Sequence, residues 1–122
     1  MAERSFDAQS PIDFNKIKAI FGSLENIVEF VRGFMETLSI DKHFLENAYH
    51  LGEWELIKEL VHRIRGSAVY LGAVFVEAAC RELEYSLLGL NHKNREDLYH
   101  KAISAIIMLE NYVDDYLSSR VD

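Results

Sequence analysis

The sequence contains very few residues that break helices or cross-link a chain. Of its 122 residues, one is proline, one is cysteine and six are glycine. A single cysteine, Cys80, cannot form an internal disulfide, so nothing in the composition indicates an oxidising compartment. Since 49% of the residues are apolar, one domain of ordinary size can bury a sufficient core without metals or disulfides.

Long apolar segments and an excess of positive charge are also missing. No stretch approaches the ~20 apolar residues that span a bilayer, and residues 1–6 lack the apolar run of a signal peptide. We therefore expect a cytoplasmic protein. The net charge of −7, from 20 acidic and 13 basic residues, repels nucleic-acid phosphates and anionic lipid. The expected partner is a protein, with neither nucleic acid nor a membrane surface involved.

Apolar residues spaced three and four apart occur almost throughout, and this spacing predicts an all-α protein. We expect residues 1–9 to be a flexible N-terminus and residues 10–122 to form one domain. Short connections predict antiparallel packing of successive helices. The expected architecture is an up-down-up-down four-helix bundle with a short additional N-terminal helix.

Helix boundaries follow from capping residues. Ser10 is predicted to cap the short first helix, with Pro11 in its first turn and its end near Gly22. Ser23 is predicted to cap a long second helix that ends near His50. The remaining helices are expected over about residues 53–71, over about 75–88 with Gly89 at the end, and from Asn94 onward.

The third predicted helix carries a histidine in the middle of its polar face. On a wheel that advances about 100° per residue, six apolar residues lie opposite His62: Leu56, Ile57, Leu60, Ile64, Ala68 and Leu71. The residues near His62 are Glu55, Lys58, Glu59, Arg65, Gly66 and Val69. An exposed histidine on a polar helix face is common, so its position alone does not indicate a function.

Gly66 follows His62 by one turn, where a glycine costs ~1 kcal/mol relative to alanine. Helical side chains lean toward the N-terminus, so a side chain at position 66 would lie over the imidazole. Glycine leaves that space open to another macromolecule. The alternative is that Gly66 lets a neighbouring helix pack closely.

Positive charge is concentrated around the same histidine. Between Lys42 and Arg81 the basic residues are Lys58, Arg63 and Arg65. Their donors can stabilise an incoming phosphoryl group by charge-assisted hydrogen bonds. The alternative is a solvated face of mixed charge, since Glu55 and Glu59 lie there too.

The segment from His62 to Ala73, with the sequence HRIRGSAVYLGA, resembles the signature of the histidine-containing phosphotransfer (HPt) domain family. In that signature a histidine precedes lysine-glycine-serine and a later glycine-alanine. The layout of helices from Pro11 onward matches the family as well. Arg65 stands where the family most often has lysine, which keeps the charge but changes the geometry available to a partner.

The resemblance implies that His62 is a phosphoacceptor in a two-component phosphorelay. It implies partners that are response regulator receiver domains and a sensor or hybrid histidine kinase, with Mg²⁺ bound by the receiver and no cofactor in this chain. The chain would be a phosphocarrier without kinase or phosphatase activity of its own. We expect Arg65, Lys58 and Gly66 to stabilise the phosphoryl group or give access to it, and the partner to contact Glu55, Glu59, Arg63, Val69 and Phe30.

The second helix has more apolar residues than one buried stripe requires. Phe30, Ile40 and Phe44 remain after its core positions are assigned, and they are candidates for a docking patch. Alternatively, they pack against the first helix through Phe14, Ile17 and Phe21.

Two other functions compete with phosphotransfer. A di-metal carboxylate bundle needs Glu-x-x-His pairs that face inward. Glu59 and His62 form one such pair, and Asp97 and His100 a weaker one, but the first lies opposite the apolar stripe. The second alternative is an interaction module that binds a receiver and carries no phosphoryl group.

Overall fold

The computed structural model describes residues 10–89 and 94–121. Within them the chain forms five α-helices and no strand, so the predicted all-α class is confirmed. The predicted flexible N-terminus, residues 1–9, lies outside the described residues. The helices are α1 (Phe14–Phe21), α2 (Leu24–His50), α3 (Trp54–Leu71), α4 (Val74–Leu88) and α5 (Arg95–Val121).

Helices α2 to α5 form the predicted four-helix bundle. Each packs against the next along the chain, and α5 returns to α2, while the short α1 lies against α2 and α3. Apolar stripes of all four bundle helices meet in one core. In the described residues no helix has the length and apolar character that crossing a membrane requires.

The buried face of α3 is rotated slightly from the predicted one. Leu56 was expected in the core but is 39% exposed, whereas Val61 is fully buried. On the helical wheel these two residues flank the apolar stripe on opposite sides. Because α3 packs most extensively against α4, the side that carries Val61 is covered and Leu56 is left at the edge. His62 remains on the exposed side.

Helix α1 begins later than predicted. Asp13, not Ser10, is its N-cap: the Asp13 backbone is extended, and the side chain accepts the Lys16 N–H at 3.2 Å. Pro11 therefore precedes the helix. The prediction for Ser23 is confirmed, since its side chain accepts the Asn26 N–H at 3.2 Å at the start of α2.

The segment before α1, residues 10–13, crosses the C-terminal end of α3, and we call it the N-terminal crossing. The Asp13 N–H donates to the Gly72 carbonyl at 3.0 Å, Ile12 is buried, and the Ser10 hydroxyl lies 3.1 Å from that of Tyr112 on α5. These contacts fix the path of the chain up to Asp13. The helix consequently starts at Phe14.

Gly72 ends α3 and also makes room for the crossing. Its φ of 69° is in the left-handed region that favours glycine. A Cβ at this position would lie 2.6 Å from the Cβ of Asp13. The glycine is thus required both by its backbone conformation and by the close approach of another segment.

Candidate functional site

His62 lies in the middle of α3 with its side chain 65% exposed. The core residues Val61 and Ile64 hold the other side of the helix against the bundle. The imidazole is therefore presented to solvent by a helix whose position is fixed by packing on its opposite face. A ring placed in this way is open to a macromolecular partner.

The carboxylate of Glu84 on α4 binds two side chains of α3. Its Oε2 lies 2.7 Å from Nδ1 of His62, and its Oε1 accepts a hydrogen bond from Nε of Arg65 at 3.0 Å. The Glu84 side chain is only 12% exposed, so both contacts are shielded from solvent at the carboxylate. Glu84 thereby ties the imidazole and the guanidinium to α4.

The contact with Glu84 defines which ring nitrogen of His62 carries the proton. A carboxylate can only accept, so the contact with Glu84 requires a proton on Nδ1 of His62. In the neutral imidazole the free lone pair is then on Nε2, which points to the other side of the ring. No hydrogen-bond partner for Nε2 occurs among the residues that the structure describes. Nη2 of Arg65 lies 3.4 Å from Nδ1, and because both atoms are donors this contact is not a hydrogen bond.

Gly66 faces open space. A Cβ added there would have no described atom of a neighbouring helix and no atom of the His62 ring within 4 Å. Close packing against a neighbouring helix is therefore not its role. The expectation that any side chain here would cover the ring needs refinement, because a single methyl group would stay clear of it. A longer side chain is needed to reach the imidazole.

The other basic residues of the predicted site have different partners. Lys58 pairs with Glu55 at 3.0 Å, and Arg63 extends toward α2, where it binds the buried Asp41 at 2.6 Å. Of the predicted cationic side chains, the structure brings Arg65 directly to His62. Glu59 is exposed on the same helix, and Val69 is 46% exposed.

The three surplus apolar residues of α2 have two different environments. Phe30 is half-buried, with its ring centroid 4.4 Å from that of Phe21, so it packs against α1 as the alternative proposed. Ile40 and Phe44 are 56% and 52% exposed. A groove of about 240 Å³ runs between α2 and α3; its lining includes Phe30, Phe34, Asp41, Ile64, Ser67 and Tyr70.

Sequence reasoning did not identify Glu84. A signal was present: Glu84 comes directly after the buried Leu83 and one turn after the buried Cys80, so it borders the apolar stripe of α4. A carboxylate at such an edge is placed to reach a neighbouring helix. The spacing along α4 does not say which residue of α3 it meets.

The thiol of Cys80 contributes no reactive group to this site. Burial raises the pKa of the Cys80 thiol to about 12, and the positive charge of Arg65 lowers it only partly. A thiol with this pKa is a core residue and not a nucleophile.

Within the described part of the chain, no three histidine, cysteine, aspartate or glutamate side chains come together as a metal site requires.

Comparison with known proteins adds the family. No curated protein and no solved structure gives a significant match to the chain. The family model described as Hpt domain matches residues 29–118, which include nearly all of the four bundle helices, His62 and Glu84. Proteins of this family act in histidine phosphotransfer, as phosphocarriers that interact with receiver domains and histidine kinases in phosphorelays. With a match over most of its length and a four-helix bundle that presents a histidine, the chain belongs to the Hpt domain family.

Proposed function

We propose that His62 takes a phosphoryl group from the phosphoaspartate of a receiver domain and passes it to another receiver. The observation that carries this proposal is the arrangement of the imidazole. Nδ1 is held by the shielded carboxylate of Glu84, while the ring is 65% exposed and the space near Gly66 is open. Nε2 is thus the nucleophilic atom.

Phosphoryl transfer to His62 requires no proton to leave the ring. The Nε2 lone pair attacks phosphorus, the bond between phosphorus and the aspartyl oxygen breaks, and the electron pair leaves with the receiver's carboxylate. The proton on Nδ1 stays with the ring, which gains positive charge. The negative charge of Glu84, 2.7 Å away, stabilises that positive charge. The reverse step delivers the phosphoryl group to the next receiver.

The remaining components of the reaction come from the partner. A receiver supplies Mg²⁺ and the positioning that phosphoryl transfer demands, and a sensor or hybrid histidine kinase supplies phosphate to the relay. The residues around His62 supply a nucleophile of defined tautomer and one adjacent guanidinium. This division of roles is that of a phosphocarrier without kinase or phosphatase activity of its own.

Labelling by a phosphorylated receiver tests the assignment. The wild-type protein is expected to gain a phosphoryl group that is labile in acid and stable in alkali, and His62→Gln is expected to abolish it. Because the ring is exposed, this substitution should change the free energy of unfolding by less than about 1 kcal/mol. The acceptor position and the stability are measured by phosphopeptide mapping and urea denaturation.

His43→Gln is the matched control. His43 is also exposed on a helix and lies 3.7 Å from a carboxylate, that of Glu46, but it is on α2. This variant should be labelled like the wild type. Full labelling of His62→Gln would contradict the proposal, and a wild-type protein that binds phosphorylated receivers without being labelled would favour the interaction module.

A further inference from the structure

The solvent-facing side of α2 carries four residues at the spacing of a helix-packing seam. Gly33, Thr37, Ile40 and Phe44 are all exposed, and they follow one another at intervals of four, three and four residues. On a helix that advances about 100° per residue, they lie within about 60° of one another. This is the spacing at which one helix packs along another. We call these four residues the α2 ridge.

Two features of the α2 ridge are unfavourable in an isolated chain. Ile40 and Phe44 are apolar, yet 56% and 52% of their surfaces are exposed. Gly33 lies inside the helix, where a glycine costs ~1 kcal/mol relative to alanine. A Cβ at Gly33 would meet no described atom of a neighbouring helix within 4 Å. Neither a turn nor close packing within the described structure therefore requires this glycine.

From this pattern we infer that the α2 ridge docks onto the same ridge of a second copy of the chain, with the two helices antiparallel. A two-fold axis between Thr37 and Ile40 places Gly33 opposite Phe44 of the second copy, and Thr37 opposite its Ile40. Each contact then combines a smaller side chain with a larger one. The ring of Phe44 occupies the space that Gly33 leaves open.

The charges beside the α2 ridge favour the antiparallel arrangement. Glu36 and His43 are both exposed on the same flank of the ridge, and antiparallel helices bring Glu36 across from His43 of the second copy. Parallel helices would bring Glu36 across from Asp41, which is also acidic. The net charge of −7 on each copy and the small contact area keep the dimer weak. A receiver that docks on Ile40 and Phe44 can bind only the monomer.

Sedimentation equilibrium of the full chain tests this inference. The wild-type protein should reach a monomer–dimer equilibrium at concentrations up to about 1 mM, the range of weak interfaces. Ile40→Ser should raise the dissociation constant of the dimer by about tenfold or more, because each dimer loses two apolar side chains. Gly33→Leu should raise it at least as much, since the new side chain fills the space that Phe44 of the second copy requires. Urea denaturation should show that both variants fold, because both positions are exposed in the monomer.

Gly66→Leu is the matched control, because it makes the same change at another exposed helical glycine with open space, on α3. It should leave the dissociation constant unchanged. A one-to-one mixture of Gly33→Leu and Phe44→Ala chains tests which residues meet. In their heterodimer each large side chain again faces a small one, so the mixture should associate more tightly than either variant alone.

Three results would overturn the inference. The first is a wild-type chain that stays monomeric at the highest concentration, and the second is a Gly33→Leu variant that dimerises like the wild type or is weakened no more than Gly66→Leu. The third is a mixture that associates no better than its components, because Gly33 would then not face Phe44. None of these measurements involves phosphorylation, so their outcome is independent of the proposed function.

Discussion

At the scale of single residues, substitutions of Gly66 separate the stability of the fold from the access of a partner to His62. In ordinary helix with open space around it, alanine should raise the free energy of unfolding by up to ~1 kcal/mol. Gly66→Ala should slow phosphotransfer only slightly, because the methyl group stays more than 4 Å from the ring. Gly66→Leu should slow it strongly without unfolding the bundle. Urea denaturation and transfer rates check both statements.

The outcome that contradicts this view is a loss of stability in Gly66→Ala. It would mean that the glycine is required by packing. Equal transfer rates for Gly66→Leu and the wild type would instead show that the partner approaches His62 from another side.

Much of the site could be predicted from the sequence because it lies on one helix. His62, Arg65 and Gly66 share a face at fixed spacing, and that spacing alone places them together. Glu84 could not be placed in the same way, since the residue that it meets depends on how α4 packs along α3. The local charge also does not tell which groups the basic residues contact: Arg63 is next to His62 in sequence, yet its side chain binds the buried Asp41 on α2.

At the scale of elements, alanine substitutions at two glycines with left-handed backbone conformation distinguish the cost of backbone strain from the cost of a steric clash. Gly52, between α2 and α3, and Gly72 have φ angles of 71° and 69°. A Cβ at Gly52 would meet nothing within 4 Å, whereas one at Gly72 would overlap Asp13. Gly52→Ala should lower the free energy of unfolding by about 1 kcal/mol, the strain alone. Gly72→Ala should lower it by about 2 kcal/mol or more.

The difference in free energy of unfolding between the two variants measures the cost of displacing the N-terminal crossing. Hydrogen exchange should show faster exchange of the Asp13 amide in Gly72→Ala, because the bond to the Gly72 carbonyl is displaced. Equal destabilisation by the two substitutions, with Asp13 still protected, would mean that the crossing adapts without cost.

The helix ends show which signals in a sequence are local. Ser23 caps α2 as predicted, because the residues that decide it are within one turn. The prediction for Ser10 was wrong because a contact between distant parts of the chain, from Asp13 to Gly72, sets where α1 begins. Both serines precede apolar helical periodicity, so their sequence context is similar. Only the folded arrangement distinguishes them.

At the scale of the whole molecule, the exposed side of α2 next to α3 is where partner docking can be tested. Ile40→Ser and Phe44→Ser should each change the free energy of unfolding by less than about 0.5 kcal/mol, since both side chains are more than half exposed. Both should weaken receiver binding. Phe30→Ser should cost about 2 kcal/mol, because that ring packs against Phe21. Calorimetric binding and urea denaturation give the two quantities.

Ile107→Ser provides the control for exposed apolar surface in general. Ile107 is 42% exposed on α5, which packs against α2 and α4 and lies across the bundle from α3. It should leave receiver affinity unchanged. Unchanged affinity in Ile40→Ser and Phe44→Ser would place the footprint on α3 instead, on Glu55, Lys58, Glu59 and Val69.

The deep position of the one cysteine has a practical consequence. Burial raises the pKa of the Cys80 thiol to about 12, so the group stays protonated at pH 7, and its side chain is fully buried. Maleimides and spin-label reagents should therefore leave the folded wild-type chain unmodified. A single substitution such as Asn111→Cys, on the exposed side of α5, can then carry a fluorophore that reports receiver binding, with Cys80 left in the core.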